Sequence, residues 1–494
     1  MKINHPILIQ GGMGIAVSDW KLARTVSQTG QLGIVSGTAI DSVMVRRLQD
    51  GDKGGHIRRA LAAFPSQAIA QKILTTYFIE GGRPEGQPYK RQPMFNIVSP
   101  VALLQLNVAS SFTEVWLAAE GHSGLVGINL LEKIHLPTLS CLYGAMLANV
   151  DYVIMGAGIP REIPGVLDLF SENKKAGLKV PVEGAVEGTV TYFDPAVVME
   201  GMELKALKRP YFFPIVSSAT LALNLKKKST GRVDGFIVEG PLAGGHNAPP
   251  RGQMQLNERG EPIYGPRDEV SLADMAALGL PFWMAGDYAT PEKMQTVRNQ
   301  GAHGIQVGTL FAFSDESGID RNLRLDAIKT ILTTQPPEGG WIFTDPRSSP
   351  TGFPFKATRL PGSISEKDSY LGRKRICDLG YLRHSYQKPD GTVGQRCPAE
   401  PVADYLKKGG AEEDTVGRKC LCNALMADIG MPQIQAGGVK ELHLLTAGDD
   451  LNNIGRLVKK GHGTYSALDV ISYLLGPEVA KTKLSPAPEK NSML

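Results

Sequence analysis

Eight short apolar runs, separated by longer stretches, constrain this chain more than any other feature. They are "ILIQ" (Ile7 to Gln10), "LGIVS" (Leu32 to Ser36), "LVGINL" (Leu125 to Leu130) and "YVIMG" (Tyr152 to Gly156). After them come "FPIVS" (Phe213 to Ser217), "GFIVEG" (Gly235 to Gly240), "FWMAG" (Phe282 to Gly286) and "GIQVG" (Gly304 to Gly308). Their apolar character is continuous rather than alternating, as expected of strands buried on both faces. Between most of them lie segments such as "SDWKLARTVSQTG" and "TPEKMQTVRNQG", which open on a capping residue and close on glycine, as helices do. Eight β-then-α units in succession predict an α/β fold, the (β/α)8 or TIM barrel. A doubly wound open sheet would need a glycine-rich phosphate turn after an early strand. "GAG" at Gly156 to Gly158 lacks the third glycine and the downstream acid.

A ninth run, "MFNIV" (Met94 to Val98), and a long helix around Arg58 to Phe78 fall outside the count. We read them as an inserted segment at about 54–123 within a barrel spanning 1–344. Residues 345–475 form an additional C-terminal segment, mostly helical and loop-rich, packed on the barrel, and 476–494 a disordered tail. With 494 residues, 42% hydrophobic and 21% charged, the chain can bury a large core. The formal charge of +4 is spread along it, and the densest basic run, "LKKKS" (Leu225 to Ser229), reads as a solvated helix end. No basic stripe is interleaved with aromatics, so no nucleic acid is expected as a partner. No run approaches a membrane span, and the apolar start "MKINHPILIQGG" is too short for a signal peptide. An odd count of five cysteines fits a reducing compartment, and a cytoplasmic protein is expected.

In a barrel of this kind the chemistry sits on loops at the strands' C-terminal ends. "IVEGPLAGGHNAPPRG" places His246 there, after Gly244 and Gly245, which let the backbone turn and approach closely. The loops after the last two strands are glycine-rich: "AGDYATPEKM" with Gly286 and Asp287, then "QVGTLF" with Gly308 and Thr309. Such loops bind phosphate through backbone N–H groups and a helix N-terminus, here prepared by Thr290-Pro291-Glu292. "IQGGMG" (Ile9 to Gly14) is a second close-approach loop, on the first strand. A planar ring system with a phosphate tail would span the two regions.

These features together resemble the nitronate monooxygenase family, formerly called 2-nitropropane dioxygenases. Its members are FMN-dependent (β/α)8 enzymes related to FabK-type enoyl reductases and to the enoyl reductases of polyunsaturated fatty acid and polyketide synthases. The resemblance runs from "PILIQGGMGIAVSDWKLARTVSQTGQLGIVSG" to about Phe313. It implies that Gln10, Gly11, Gly12, Met13 and Gly14 lie against the flavin, and that Asn129 contacts its pyrimidine edge. Ala243 to His246 match the family's Ala-Gly-Gly-His, which makes His246 the active-site base. Ala285, Gly286 and Asp287 stand for its phosphate turn, with Gly308 and Thr309 beside it. Asp287 departs from the family's glycine, and a carboxylate next to a phosphate is unfavourable unless it points away. "SPTGFPFKA" (Ser349 to Ala357) stands where the family has a Ser-Gly-Arg-Pro-like motif, without the arginine. Glu239 is read both as a group orienting flavin or substrate and as a barrel-end carboxylate bound to backbone.

Cys377, Cys397, Cys420 and Cys422 cluster late in the chain. Four thiolates complete the shell of a metal or an iron–sulfur cluster. The spacing nevertheless contains no Cys-x-x-Cys knuckle and favours buried free thiols. Cys141 is expected in the core. His5, His56, His122, His135, His303, His384, His443 and His462 are scattered, without ligand spacing.

The resemblance implies oxidation of nitroalkanes or nitronates. His246 would remove a proton beside the nitro group, and the resulting anion would pass electrons through FMN to O2. The competing readings are an NAD(P)H-dependent enoyl-thioester reductase and a non-catalytic flavin-binding module. Partners are thus a small-molecule substrate with O2 or NAD(P)H, and a homo-oligomer is compatible with the sequence.

Overall fold

The computed structural model describes residues 5–185, 188–459, 461–482 and 484. Eight parallel strands close into a barrel: β1 (Leu8–Gln10), β2 (Leu32–Ser36), β3 (Val126–Leu131), β4 (Tyr152–Gly156), β5 (Tyr211–Val216), β6 (Phe236–Glu239), β7 (Phe282–Ala285) and β8 (Gly304–Val307). Each strand pairs with the next, and β8 returns to β1 with Leu8 opposite Ile305 and Gln10 opposite Val307. All eight runs read from the sequence are these strands, because burial on both faces leaves an apolar signature that needs no knowledge of the neighbours.

Inside the barrel Ile9, Ile34, Tyr152, Ile154, Phe213, Ile237 and Trp283 form a separate core. Trp283 donates its indole N–H to the Pro6 carbonyl at 2.9 Å, and Phe213 stacks on it at 5.0 Å. His5 and His303 meet the same aromatic cluster from below. This plug fills the N-terminal end and leaves the C-terminal ends of the strands as the place for a cavity. The outer helices follow their sequence signals. Asp19 caps Trp20–Ser27, Thr290 caps Pro291–Asn299, and the three lysines of "LKKKS" lie in the last turn of Ala219–Lys228.

Several expectations change. The long helix around Arg58 to Phe78 is two helices, His56–Ala62 and Gln67–Tyr77, because Pro65 cannot continue the first. Met94 to Val98 is irregular chain, not a strand. A run of membrane-span length does exist: helix Val101–Ala119 is long and apolar enough, with a mean hydropathy of 1.2. Its window is 78% buried in the protein, where Ser110 donates to Leu106 O, Ser111 donates to Cys141 O, and Glu114 accepts from Trp20 N and Arg47. The strand Ile342–Asp345 straddles the boundary expected after residue 344. It pairs with Phe355–Thr358, which pairs in turn with the two-residue strand Gly245–His246. The C-terminal segment is therefore stitched to the loop after β6. Near the end, Pro477–Lys481 is a helix within the stretch read as a tail; residues 483 and 485–494 lie outside the described residues.

Candidate active site

The loop after β1 is braced from beneath. Gln10 donates its amide to Gly11 O at 2.5 Å and to Ser18 Oγ at 2.9 Å, and accepts from Ile34 N at 3.0 Å. Ser18 donates to Gly11 O and accepts from Met13 N. Gln10 is thus spent inside the fold and does not reach the cavity, unlike the expectation for it. The braced loop holds Gly11, Gly12, Met13 and Gly14 along one wall. A methyl on Gly12 would stand 2.3 Å from Asn129 Cβ, and one on Gly11 would stand 3.3 Å from Gln306 Cγ. The glycines are what allow the chain to pass these two amides.

One cavity at the C-terminal mouth of the barrel collects almost every predicted group. Gly11, Gly12, Met13, Gly14, Asn129, Glu239, Gly244, Gly245, His246, Gly286, Asp287, Gly308 and Thr309 all border it. Gln306, on β8, borders it as well and was not singled out in the sequence. Its signal was available: it is the one polar residue in "GIQV". Asn129 Oδ1 and Gln306 Oε1 are buried without a hydrogen-bond partner among the described residues. Two unmatched acceptors in a cavity wall call for N–H donors from a ligand. A larger hollow of about 440 Å³, beside Lys133, His135 and Arg383, contains none of the predicted residues.

His246 enters through the small sheet shared with Phe355, whose ring meets the imidazole edge-on at 4.9 Å. Its Nε2 lies 2.7 Å from Ser349 Oγ, and Ser349 Oγ lies 2.8 Å from Thr351 Oγ1. Arg418 holds Ser349 in place by donating to its carbonyl at 2.5 Å. Nδ1 has no hydrogen bond among the described residues. Protein crowds the ring although part of it remains open to the cavity, and this burial lowers its pKa to about 4. Glu239, at the end of β6, is raised by burial to about 8. At neutral pH the imidazole is therefore unprotonated and the carboxyl is the acid form.

Gly244 has a role the sequence did not show. A methyl there would meet Ala447 C at 2.6 Å and Gly448 N at 2.7 Å, so the C-terminal segment passes against it. Gly448 N–H donates to Thr309 Oγ1 at 2.9 Å, and Asp450 follows into the cavity wall. Gly286 turns at φ +93°, and Asp287 at φ +56°. The Asp287 side chain is drawn to Lys293 Nζ at 2.5 Å and also hydrogen-bonds Asp450. Burial, and then the Asp287 charge, raise Asp450 to about 7. The carboxylate that departs from the family turn is thus met by the Lys293 ammonium.

Residues 183–333 match the family model "Nitronate monooxygenase". A search of curated proteins finds no similar sequence. Among solved structures the chain is similar to FabK from Thermotoga maritima, at 15% identity over 96% of this chain and 93% of that one, with a TM-score of 0.43. It is similar to the nitroalkane oxidase from Streptomyces ansochromogenes at 16% identity over 97% of each chain, with a TM-score of 0.41. The enoyl reductase domain of MlnA from Bacillus amyloliquefaciens aligns at 10% identity over 96% of this chain and 93% of that one, with a TM-score of 0.46. The stretch that carries His246, Gly286 and Gly308 thus matches the nitronate monooxygenase family model, and the chain folds as a (β/α)8 barrel.

Proposed function

We propose that the protein binds FMN in the barrel-mouth cavity and oxidises nitroalkanes or their nitronates with O2, with His246 as the base. The observation that carries the reading is an unprotonated imidazole bordering one cavity with two unpartnered amide oxygens and two glycine turns. One of the two amides, Asn129 or Gln306, would accept the single N–H of the flavin's pyrimidine edge, and the other would turn its NH2 to a ring carbonyl. Gly286, Gly308 and Thr309 would hold the phosphate. Bound there, FMN supplies the electron transfer from substrate to O2.

The work left to the chain is proton removal. With its proton on Nε2 and donated to Ser349 Oγ, His246 presents the Nδ1 lone pair to a carbon acid. Ser349 and Thr351 then stabilise the imidazolium that forms, one hydroxyl passing its hydrogen bond to the next. Glu239, in its acid form, donates a hydrogen bond toward a nitro or nitronate oxygen. A preformed nitronate needs no base, and this separates the roles.

The test is stopped-flow reduction of the FMN-loaded protein. His246→Ala should retain FMN, yet slow reduction by a neutral nitroalkane about 10²–10⁴-fold, the usual worth of a positioned base. Its effect on reduction by the nitronate should be much smaller. Equal slowing of both would assign His246 to shaping the cavity. Release of FAD on denaturation, or a protein that takes up no FMN, would remove the cofactor.

A further inference from the structure

The hollow of about 440 Å³ lies where the barrel and the C-terminal segment meet, apart from the residues expected around a flavin. Strand His384–Gln387 contributes His384 and Ser385 to it; this strand pairs with Val393–Arg396 and, in parallel, with Val182–Glu183. Lys133, just past β3, borders it from the barrel, and Pro350 and Thr351 border it beside Ser349. Phe95, Leu136, Pro137 and Leu382 give it apolar walls. A space of that size, apolar with a few polar groups, is the usual form of a small-molecule site.

Its charges do not balance. Glu183 is the acid on its border, and both carboxylate oxygens are taken, Oε1 by Arg396 at 2.8 Å and Oε2 by His384 at 3.0 Å. Lys133 meets Glu132 only at 3.8 Å, beyond hydrogen-bond reach. Arg383 is left further from any counter-charge. Its Nε donates to Gly380 O at 3.0 Å and its Nη2 to Phe95 O at 2.6 Å, while Nη1 makes no hydrogen bond among the described residues. Nor does Arg383 form an ion pair there, since Glu400, the carboxylate in its electrostatic reach, is paired with Lys408 at 2.7 Å. Arg383 also borders a hollow of about 10 Å³, room for about one water, lined by Cys377, Cys397, Cys420 and Cys422. Burial raises these thiols, Cys377 to about 12, so they are neutral and offer no counter-charge. A buried guanidinium without a partner is costly, and the larger hollow has the room to admit one.

We propose that this hollow is a second small-molecule site and takes an organic anion, with an apolar body against Phe95, Leu136 and Leu382 and a carboxylate or phosphate head on Arg383. The planar guanidinium fork suits either head, and Lys133 adds a second positive charge at the same border. Neither FMN nor His246 takes part in the binding. The site nevertheless adjoins the barrel mouth through Thr351, whose Oγ1 lies 2.8 Å from Ser349 Oγ, itself 2.7 Å from His246 Nε2.

Isothermal titration of the full chain with phenylbutyrate, phenylethyl phosphate, uncharged phenylbutanol and inorganic phosphate tests this. At least one of the two organic anions should bind at a single site, and the tighter of them identifies the head. Phenylbutanol and inorganic phosphate should each bind at least about tenfold more weakly, the worth of a hydrogen bond to a charged group. Arg383→Met should weaken the anion about tenfold or more and leave phenylbutanol unchanged. Leu136→Trp, which fills the hollow, should abolish anion binding, and saturating FMN should not displace the anion. Binding of neither anion, or phenylbutanol as tight as both, overturns the proposal. So does full affinity in Leu136→Trp, or displacement by FMN, which would move the anion to the barrel mouth. If Arg383→Met does not fold, the anion-to-alcohol ratio on the unaltered chain and a weakened anion in Lys133→Ser still decide.

Discussion

Glu239 and His246 face one cavity, and the same burial pushes their proton affinities in opposite directions. Burial raises Glu239 from 4.5 to about 8, so the folded chain keeps a proton that the unfolded chain releases. The stability tied to Glu239 is full below about 4.5 and is lost as pH rises toward about 8. His246 runs the other way. Its depressed value near 4 means that its contribution is present above 6.5 and is lost as pH falls through about 4. Glu239→Gln, which cannot ionise, should therefore melt at a similar temperature to the unaltered protein at pH 5 and at a higher one at pH 8. A difference that does not grow with pH would place the Glu239 carboxyl in water. Asp450 gives a second titration, read on the ligand. Its value near 7 means that raising the pH from 6 to 8 adds a negative charge beside the expected phosphate. FMN affinity should fall over that interval by roughly tenfold, the worth of about one pKa unit of coupling. Asp450→Asn should remove the fall, and comparison of the two proteins by fluorescence titration cancels the phosphate's own ionisation near about pH 6. Parallel pH profiles would separate Asp450 from the phosphate.

At the scale of elements, the loops around the site depend on glycines for two different reasons, and substitutions separate them. Gly244 packs against backbone of residues 447 and 448, whereas Gly245 has nothing near it and needs only its φ of +79°. Gly245→Ala should cost about 1–2 kcal/mol, the penalty of a left-handed conformation. Gly244→Ala must move a strap with no flexible side chain to yield, and overpacking of that kind costs about 1–3 kcal/mol. It should also break the Gly448–Thr309 bond, so its FMN affinity should drop where that of Gly245→Ala changes less. Urea midpoints and FMN titration on both variants check this. Equal losses of affinity would deny the strap a part in the site. The same contrast explains what could be read in advance. A barrel strand is legible alone, since "FIVE" or "GIQV" carries its burial in its own residues. The strand Gly245–His246 is two residues long and exists only because Phe355 and Lys356 lie beside it. The antiparallel pair Ala176–Val180 with Thr189–Phe193 was not among the runs read as strands. His246 was legible through its glycines and its place after a strand. Gln306 and Asp450 were not singled out, since each draws its meaning from partners far along the chain.

Across the whole molecule, the cavity has two kinds of wall. Gly11 to Gly14, Asn129, Gln306 and Gly308 belong to the barrel, while Phe355, Leu425, Thr446, Ala447, Gly448 and Asp450 come from the C-terminal segment. Helix Ala467–Leu475 then packs back on helices Trp20–Ser27 and Pro291–Asn299, and Tyr465 donates to Leu310 O at 2.8 Å. A segment pinned at both its ends and through the site has little surface along which to part from the barrel. We therefore expect one cooperative melting transition for the full chain, followed equally by tryptophan fluorescence and by far-ultraviolet circular dichroism. A ligand seated between the two walls stabilises both together. FMN at about 100 times its Kd should add about 2.7 kcal/mol and raise that single transition as a whole. Two transitions, of which FMN raises only one, would show that barrel and C-terminal segment fold separately. They would also confine the cofactor's contacts to the part that moves. A single transition that FMN leaves in place would mean that the cavity does not bind it in the folded chain.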